Sequence, residues 1–376
     1  MKLVRVILRY LEMPLKEPFH TSYGTEYNKD VIIIEAVSDG GSRGFAECVA
    51  GTAPLYTAET YMTAWSMLEN FFIPALLQQH FNLRSDLMNI RNTLKPFRGH
   101  NMAKAAIEMA IWDLFAAETH TSLSELLGGQ RREIPAGISI GIQPDIPTLL
   151  DKVRGYVAEG FQRVKLKVKP GWDIIPVAAI RESFPDLPLM VDANSAYTLG
   201  DARHLSELDE YHLMMIEQPL AYDDIIHHAH LQKLISTPVC LDESIQSLED
   251  VRKAASIGAC GVVNLKPGRV GGFAESLDIH EFCLANKMDL WCGGMLETGI
   301  GRLHNVALTS LSGFTLPGDT APSSRYFERD IINPPVSFST PGTLPVPELF
   351  GTANRLDMRY IEQLCKSTKE FPLANI

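Results

Sequence analysis

Apolar and polar positions alternate with the period of a strand at the start of the chain. Val4, Val6 and Leu8 are set against Arg5 and Arg9, Val31 to Val37 is rich in β-branched residues, and Gly44 to Cys48 follows a Gly40-Gly41 turn. This predicts an antiparallel sheet over the first 48 residues. Between its first two strands, Leu15 to Asp30 reads as a long polar loop. It carries Phe19, His20, Thr21, Ser22, Tyr23 and Gly24, a mixture that suits either a mobile flap over a pocket or an ordinary surface connection.

The pattern then changes period. From about Asn101 to Glu118, Ala103, Ile107, Ala110, Ile111 and Leu114 recur at three- and four-residue spacing, giving a helix with one apolar face that ends before Gly128-Gly129. From Ile134 onward short apolar runs alternate with helical stretches such as Asp201 to Tyr211 and Ser247 to Gly258, the mark of repeated βα units. Eight strands are predicted, beginning near Ile134, Arg163, Leu187, His212, Val239, Gly261, Asp289 and Phe314, and eight such strands suggest a closed α/β barrel. An open doubly wound sheet is the alternative, but no GxGxxG turn follows a strand. The prolines at 334, 335, 341, 345 and 347 mark a wrapping segment before a last helix near Leu356 to Lys366.

Composition narrows the class. The chain has 376 residues, 45% hydrophobic and 21% charged, enough for about two domains with a large core and unlike a disordered chain. A net charge of −11, without a basic run, opposes nucleic-acid binding. Arg5, Arg9 and Glu12 break up Met1 to Leu15, and no apolar run approaches the roughly 20 residues that span a bilayer, so a cytoplasmic protein is expected. The six scattered cysteines form no CxxC pair and read as buried thiols.

The chemistry lies in a ladder of ionisable residues where predicted strands run out: Lys165 and Lys167, Asp192, Glu217, Asp242 and Lys266. Lys167 to Lys266 are spaced by 25, 25, 25 and 24 residues, about one βα unit each time. In a parallel barrel such positions converge on the C-terminal mouth. Three carboxylates gathered there repel unless a divalent cation sits among them, and an all-oxygen set suits Mg²⁺, with Mn²⁺ as a substitute, far better than Zn²⁺. Lysines on both sides would face each other across the mouth. Together these make a site for removing the proton α to a carboxylate, with the metal holding that carboxylate and stabilising the enediolate.

These residues carry a resemblance to the enolase superfamily, in its muconate-lactonising subgroup. The matching motifs are Lys165-Leu166-Lys167, Val191-Asp192-Ala193-Asn194, Ile216-Glu217-Gln218-Pro219, Leu241-Asp242-Glu243-Ser244 and Asn264-Leu265-Lys266-Pro267-Gly268-Arg269-Val270-Gly271-Gly272. The resemblance implies a modified TIM barrel, (β/α)7β, with an α+β capping domain: residues 1–130 as cap, 131–330 as barrel and 331–376 returning to the cap. It also implies that Asp192, Glu217 and Asp242 bind Mg²⁺, that Lys167 and Lys266 are the acid/base residues on the two faces of the substrate, and that Lys165, Asn194 and Glu243 support the site. A homo-oligomer acting on a small-molecule carboxylate is expected.

Within the superfamily, the seventh strand ends Trp291-Cys292-Gly293-Gly294-Met295-Leu296-Glu297-Thr298-Gly299, without the histidine base of a mandelate-racemase site. Gly318-Asp319-Thr320-Ala321 lacks the Asp-x-Asp of dipeptide epimerases. The run Gly293 to Gly301, Pro317-Gly318-Asp319 and the extension Lys167 to Asp173 resemble the o-succinylbenzoate synthase and N-succinylamino acid racemase family. The implied reaction is syn-dehydration of 2-succinyl-6-hydroxy-2,4-cyclohexadiene-1-carboxylate through an enediolate, a step of menaquinone biosynthesis, with N-succinylamino acid racemisation as a second activity. A dedicated N-acylamino acid racemase, a cycloisomerase and a non-catalytic barrel scaffold are the alternatives.

Other residues admit two readings each. Gly294 and Met295 lie in the seventh-strand run, where Met295 either meets an apolar substrate group or fills the core. Phe19 and Tyr56 are candidates for lining the substrate pocket from the cap. Gly268, Gly271 and Gly272 read as a tight turn opening a helix rather than a phosphate cradle. His227, His228 and His230 read as a solvated helix face rather than a metal site.

Overall fold

The computed structural model describes residues 1–20 and 24–373. The alternating N-terminal segments form a four-stranded antiparallel sheet in the order Cys365–Pro372, Leu3–His20, Thr25–Ser38, Arg43–Cys48. The expected loop from Leu15 to Asp30 is mostly absent: the two central strands continue outward, with Phe19 opposite Glu26 and His20 opposite Thr25. Within this arm the pairing is interrupted between Pro14 and Phe19. This arm has no buried face over Thr25 to Asn28, so its sequence lacks the alternation that marks a half-buried strand. Thr21, Ser22 and Tyr23, which the sequence assigned to the flap, lie outside the described residues.

The predicted helix runs from Asn101 to Thr119, but nearly every residue from Met102 to Ala116 is buried rather than one face. It is wedged between the cap and the barrel, against Arg43–Cys48 on one side and the short Pro267–Val270 helix on the other. Glu108 of this helix accepts the Phe273 and Ala274 N–H groups, both at 2.9 Å, at the start of the barrel helix Phe273–Ala285. A negatively charged acceptor satisfies orphan donors at a helix N-terminus. Gly272, at φ +117°, leaves room for it, since a Cβ there would lie 2.3 Å from Glu108 Oε2.

Burial pushes the Glu108 carboxyl up to about 7, against the pull of its N–H donors. A folded-state value above the unfolded one stabilises below about pH 4.5 and loses that contribution as pH rises through 7, about 3 kcal/mol in all. Denaturant midpoints of the parent should therefore lose ground to those of Glu108→Gln between pH 4.5 and 8. Parallel curves for the two proteins would reject this assignment.

Seven parallel strands form the barrel sheet in chain order: Gly137–Ile140, Arg163–Lys167, Leu189–Asp192, Ile216–Glu217, Val239–Leu241, Val262–Leu265 and Asp289–Cys292. Ile134 belongs instead to Glu133–Pro135, which pairs antiparallel with Thr343–Pro345. The eighth strand expected near Phe314 does not form. The segment closes the barrel with single bonds, Gly137 N–H to the Gly318 carbonyl at 2.7 Å and Asp319 N–H to that of Cys292 at 2.8 Å. Pro317, lacking an N–H, interrupts any ladder there. The last helix is shorter than expected, Met358–Leu364, because Cys365 begins the strand that joins the N-terminal sheet.

Five of the six cysteines are buried and Cys365 is partly exposed. No helix among the described residues is long and apolar enough to cross a membrane.

Candidate active site

Period two along a strand sends alternate side chains to the barrel interior. Arg163, Lys165 and Lys167 therefore share one face of the second barrel strand, and register sets Lys165 beside Met190 and Lys167 beside Asp192. Asp192 in turn lies beside Glu217 on the next strand. Asp242 follows Leu241 and Lys266 follows Leu265, each one step past its strand. The ladder inferred from spacing is thus a contiguous set of buried charges.

Salt bridges knit that set together. Lys165 Nζ lies 2.8 Å from Asp319 Oδ2, 3.0 Å from Glu217 Oε2 and 3.3 Å from Asp192 Oδ2. Lys167 Nζ donates to Asp192 Oδ2 and Asn194 Oδ1, both at 2.6 Å. Lys266 Nζ donates to Asp242 Oδ2 at 2.8 Å and to the Tyr56 hydroxyl at 3.1 Å, while Arg269 pairs with the other Asp242 oxygen. Asn194 Nδ2 donates to Glu243 Oε1 at 3.0 Å, and Asn264 Nδ2 to Glu217 Oε1 at 2.7 Å.

Desolvation and like charge set the protonation of these groups. Burial first, then the neighbouring Asp192 carboxylate, pushes Glu217 up to about 8 against the pull of Lys165. Burial with Asp242 and Asp192 does the same to Glu243. Asp242 moves the other way, because Lys266 and Arg269 outweigh the desolvation that would raise it. Burial alone would lower Lys266, but Asp242, Tyr56 and Glu217 hold it well above the usual lysine range.

Among the described residues no three His, Cys, Asp or Glu side chains are grouped so as to hold a metal; Lys165 bridges Asp192 and Glu217, Lys167 pairs with Asp192 and Lys266 with Asp242. The donor set nevertheless fits a hard divalent cation. Three almost fully buried carboxylates on consecutive strands repel one another, and Glu243 Oε2 and Asn264 Oδ1 beside them are buried without a partner.

A cavity of about 480 Å³ opens above this floor. Lys165, Lys167, Asn194, Lys266, Gly294 and Met295 line it from the barrel, and Phe19 and Tyr56 from the cap. Asp192, Glu217, Asp242 and Glu243 lie beneath these side chains rather than on its wall. Met295 meets the cavity and the core edge at once. Gly268 opens a short helix and Gly271 and Gly272 turn into the next one, as read. His227 and His230 are exposed on the helix Ile226–Gln232, as read, but His228 departs from that reading. His228 is wholly buried, its Nε2 accepting the Leu220 N–H at 3.1 Å, so it is a satisfied core histidine.

Three contributors were not singled out from sequence. Asp319 bridges Lys165 and Arg163, Arg269 neutralises Asp242, and Asn264 holds Glu217. Asn264 lies two residues before Lys266, near the end of the strand that Lys266 follows, and Arg163 two residues before Lys165 on one strand, so the period-two rule pointed to Asn264 and Arg163. Gly293, in the seventh-strand run, leaves room for this arrangement: a Cβ there would stand 2.3 Å from Asn264 Oδ1 and 2.5 Å from Lys266 Cε. Gly293→Ala should therefore displace the Lys266 ammonium and lower kcat by about 10²-fold with a smaller change in KM. Steady-state kinetics at unchanged thermal stability would check it.

Residues 4–128 match the Mandelate racemase / muconate lactonizing enzyme N-terminal domain, and residues 148–360 match the Enolase C-terminal domain-like family. The chain is 49% identical to an o-succinylbenzoate synthase of Geobacillus stearothermophilus, covering 97% of this chain and 96% of that one. It is 47% identical to an N-succinylamino acid racemase of Amycolatopsis sp, covering 92% and 93%. A crystal structure of an enolase superfamily member from Listeria innocua superposes with a TM-score of 0.95 at 43% identity, covering 99% and 100%.

Proposed function

The chain belongs to the enolase superfamily, in its mandelate racemase and muconate lactonizing line, and from that premise we propose that it is a Mg²⁺-dependent o-succinylbenzoate synthase with N-succinylamino acid racemisation as a second activity. The observation that carries this reading is the pair Lys167 and Lys266. They enter one cavity from the strands flanking the three that bear Asp192, Glu217 and Asp242. In this reading residues 1–130 form the cap, 131–330 the catalytic barrel and 331–376 the return to the cap.

Asp192, Glu217 and Asp242 would hold the cation. When bound, it supplies positive charge that steadies the substrate carboxylate and the developing enediolate. Lys167, as a neutral amine, takes the proton α to the carboxylate, and the electrons of that C–H bond move toward the carboxylate. In the dehydration, the hydroxyl on the same face then leaves, taking the proton back from Lys167 as water while the ring becomes aromatic. One lysine suffices because both events occur on one face. In the racemisation, Lys266 as an ammonium delivers a proton to the opposite face, so each direction needs both lysines. Asn194 holds Lys167 in place by its 2.6 Å contact, and Tyr56 holds Lys266.

The racemase reading is favoured by Lys266 itself, since a dehydration alone needs no second acid. Purified protein with Mg²⁺ should show ultraviolet-monitored loss of the cyclohexadiene substrate. It should also wash deuterium from ²H₂O into the α position of N-succinylamino acids. Chelation should abolish both, and Mg²⁺ or Mn²⁺ should restore them. Metal binding without either turnover would leave the reading unsupported.

A further inference from the structure

The cap wall of the cavity carries a cation that the proton transfers do not use. Lys29, on the strand Thr25–Ser38, is 4% exposed and lines the cavity. Its ammonium donates to the Val49 carbonyl at 3.0 Å, and among the described residues it has no second acceptor and no carboxylate at ion-pair distance. A buried ammonium with one neutral partner is costly, and evolution of a core would replace it with an apolar residue unless a counter-charge arrives. The nearby acids are already engaged. Glu47, which burial pushes up to about 7 against the pull of Thr298 and of the Lys29 charge, takes the Thr298 N–H and hydroxyl, and Asp30 takes the Tyr10 and Thr52 hydroxyls.

Position adds to charge. The Val49 side chain abuts Gly268, where a Cβ would stand 2.6 Å from Val49 Cγ2, and Gly268 lies two residues beyond Lys266. Lys29 thus sits across from the loop that follows Lys266, on the cap side of the same cavity. The substrates proposed above share a succinyl group, which ends in a carboxylate separate from the one beside the reacting carbon. We propose that Lys29 binds this remote carboxylate and so makes the site selective for dicarboxylates over monocarboxylates of the same shape. This rests on the functional reading above for the identity of the ligand, but not for the presence of the cation.

Calorimetric titration with o-succinylbenzoate and with 2-butanoylbenzoate, which has a methyl group in place of the remote carboxylate, tests it in the Mg²⁺-loaded protein. The parent should prefer o-succinylbenzoate by about tenfold or more, as a charge-assisted contact implies. Lys29→Met should bring the ratio close to one, and Lys29→Arg should keep it. Lys29→Gln serves as the neutral variant should Lys29→Met fail to fold. A parent ratio near one, or a ratio unchanged in the neutral variants, overturns the proposal, as does a parallel loss of both affinities. If the parent discriminates between the two ligands but catalyses neither reaction, the functional reading fails and Lys29 stands. Turnover without discrimination has the reverse meaning.

Discussion

Lys167→Ala should lower kcat for the dehydration by about 10³–10⁴-fold, the upper range for removing a group that both takes and returns a proton. The α-proton exchange of N-succinylamino acids in ²H₂O should disappear for the enantiomer that Lys167 deprotonates. Lys266→Ala should separate the two activities. Racemisation should be lost in both directions, because a proton removed on one face can no longer be replaced from the other. Dehydration should fall less, since only the charge of Lys266 is missing. Loss of both reactions to the same extent in both variants would mean that the lysines do not divide the faces between them. Normal turnover in both would remove the proposed chemistry.

Asp242→Asn should have the second large effect, and it should show in binding as well as rate. The carboxylate faces two cations at once, Lys266 and Arg269, and also accepts the Tyr56 hydroxyl at 2.9 Å. Replacing it leaves two buried positive groups short of a counter-charge, a loss of about 3–5 kcal/mol in folding stability. If Asp242 is also a metal ligand, Mn²⁺ affinity measured by calorimetry should fall by more than the 10–100-fold typical of groups one layer out. A variant as stable as the parent with unchanged Mn²⁺ affinity would contradict both roles.

Much of this site was legible because barrel strands recur at a nearly constant interval and charge at a strand end is conspicuous. Asp192, Glu217, Asp242 and Lys266 announced themselves by spacing alone, and the strand register brings the first two side by side. Partners supplied from far along the chain did not. Asp319 reaches Lys165 and Arg163 across more than 150 residues, and Glu108 caps a helix that begins 165 residues later. Nothing local marks such pairs. The outward arm of the hairpin was missed for the opposite reason: its residues are polar because both of its faces are exposed, so pattern alone could not tell strand from loop. His228 misled because a histidine that accepts a backbone N–H in the core has the same letter as one in water.

The pairing of Leu3–His20 with Cys365–Pro372 bears on how the protein is made. On the ribosome the first strand emerges more than 300 residues before its neighbour, and the barrel is synthesised in between. Throughout that interval one edge of the nascent cap sheet, Arg5 to Leu11, has its hydrogen-bonding groups unclaimed, a template for a second chain. The last strand's exposed lysines and glutamate then cover that edge with charge. Nascent chains halted before Cys365 should accordingly crowd into aggregates even where the barrel is already folded.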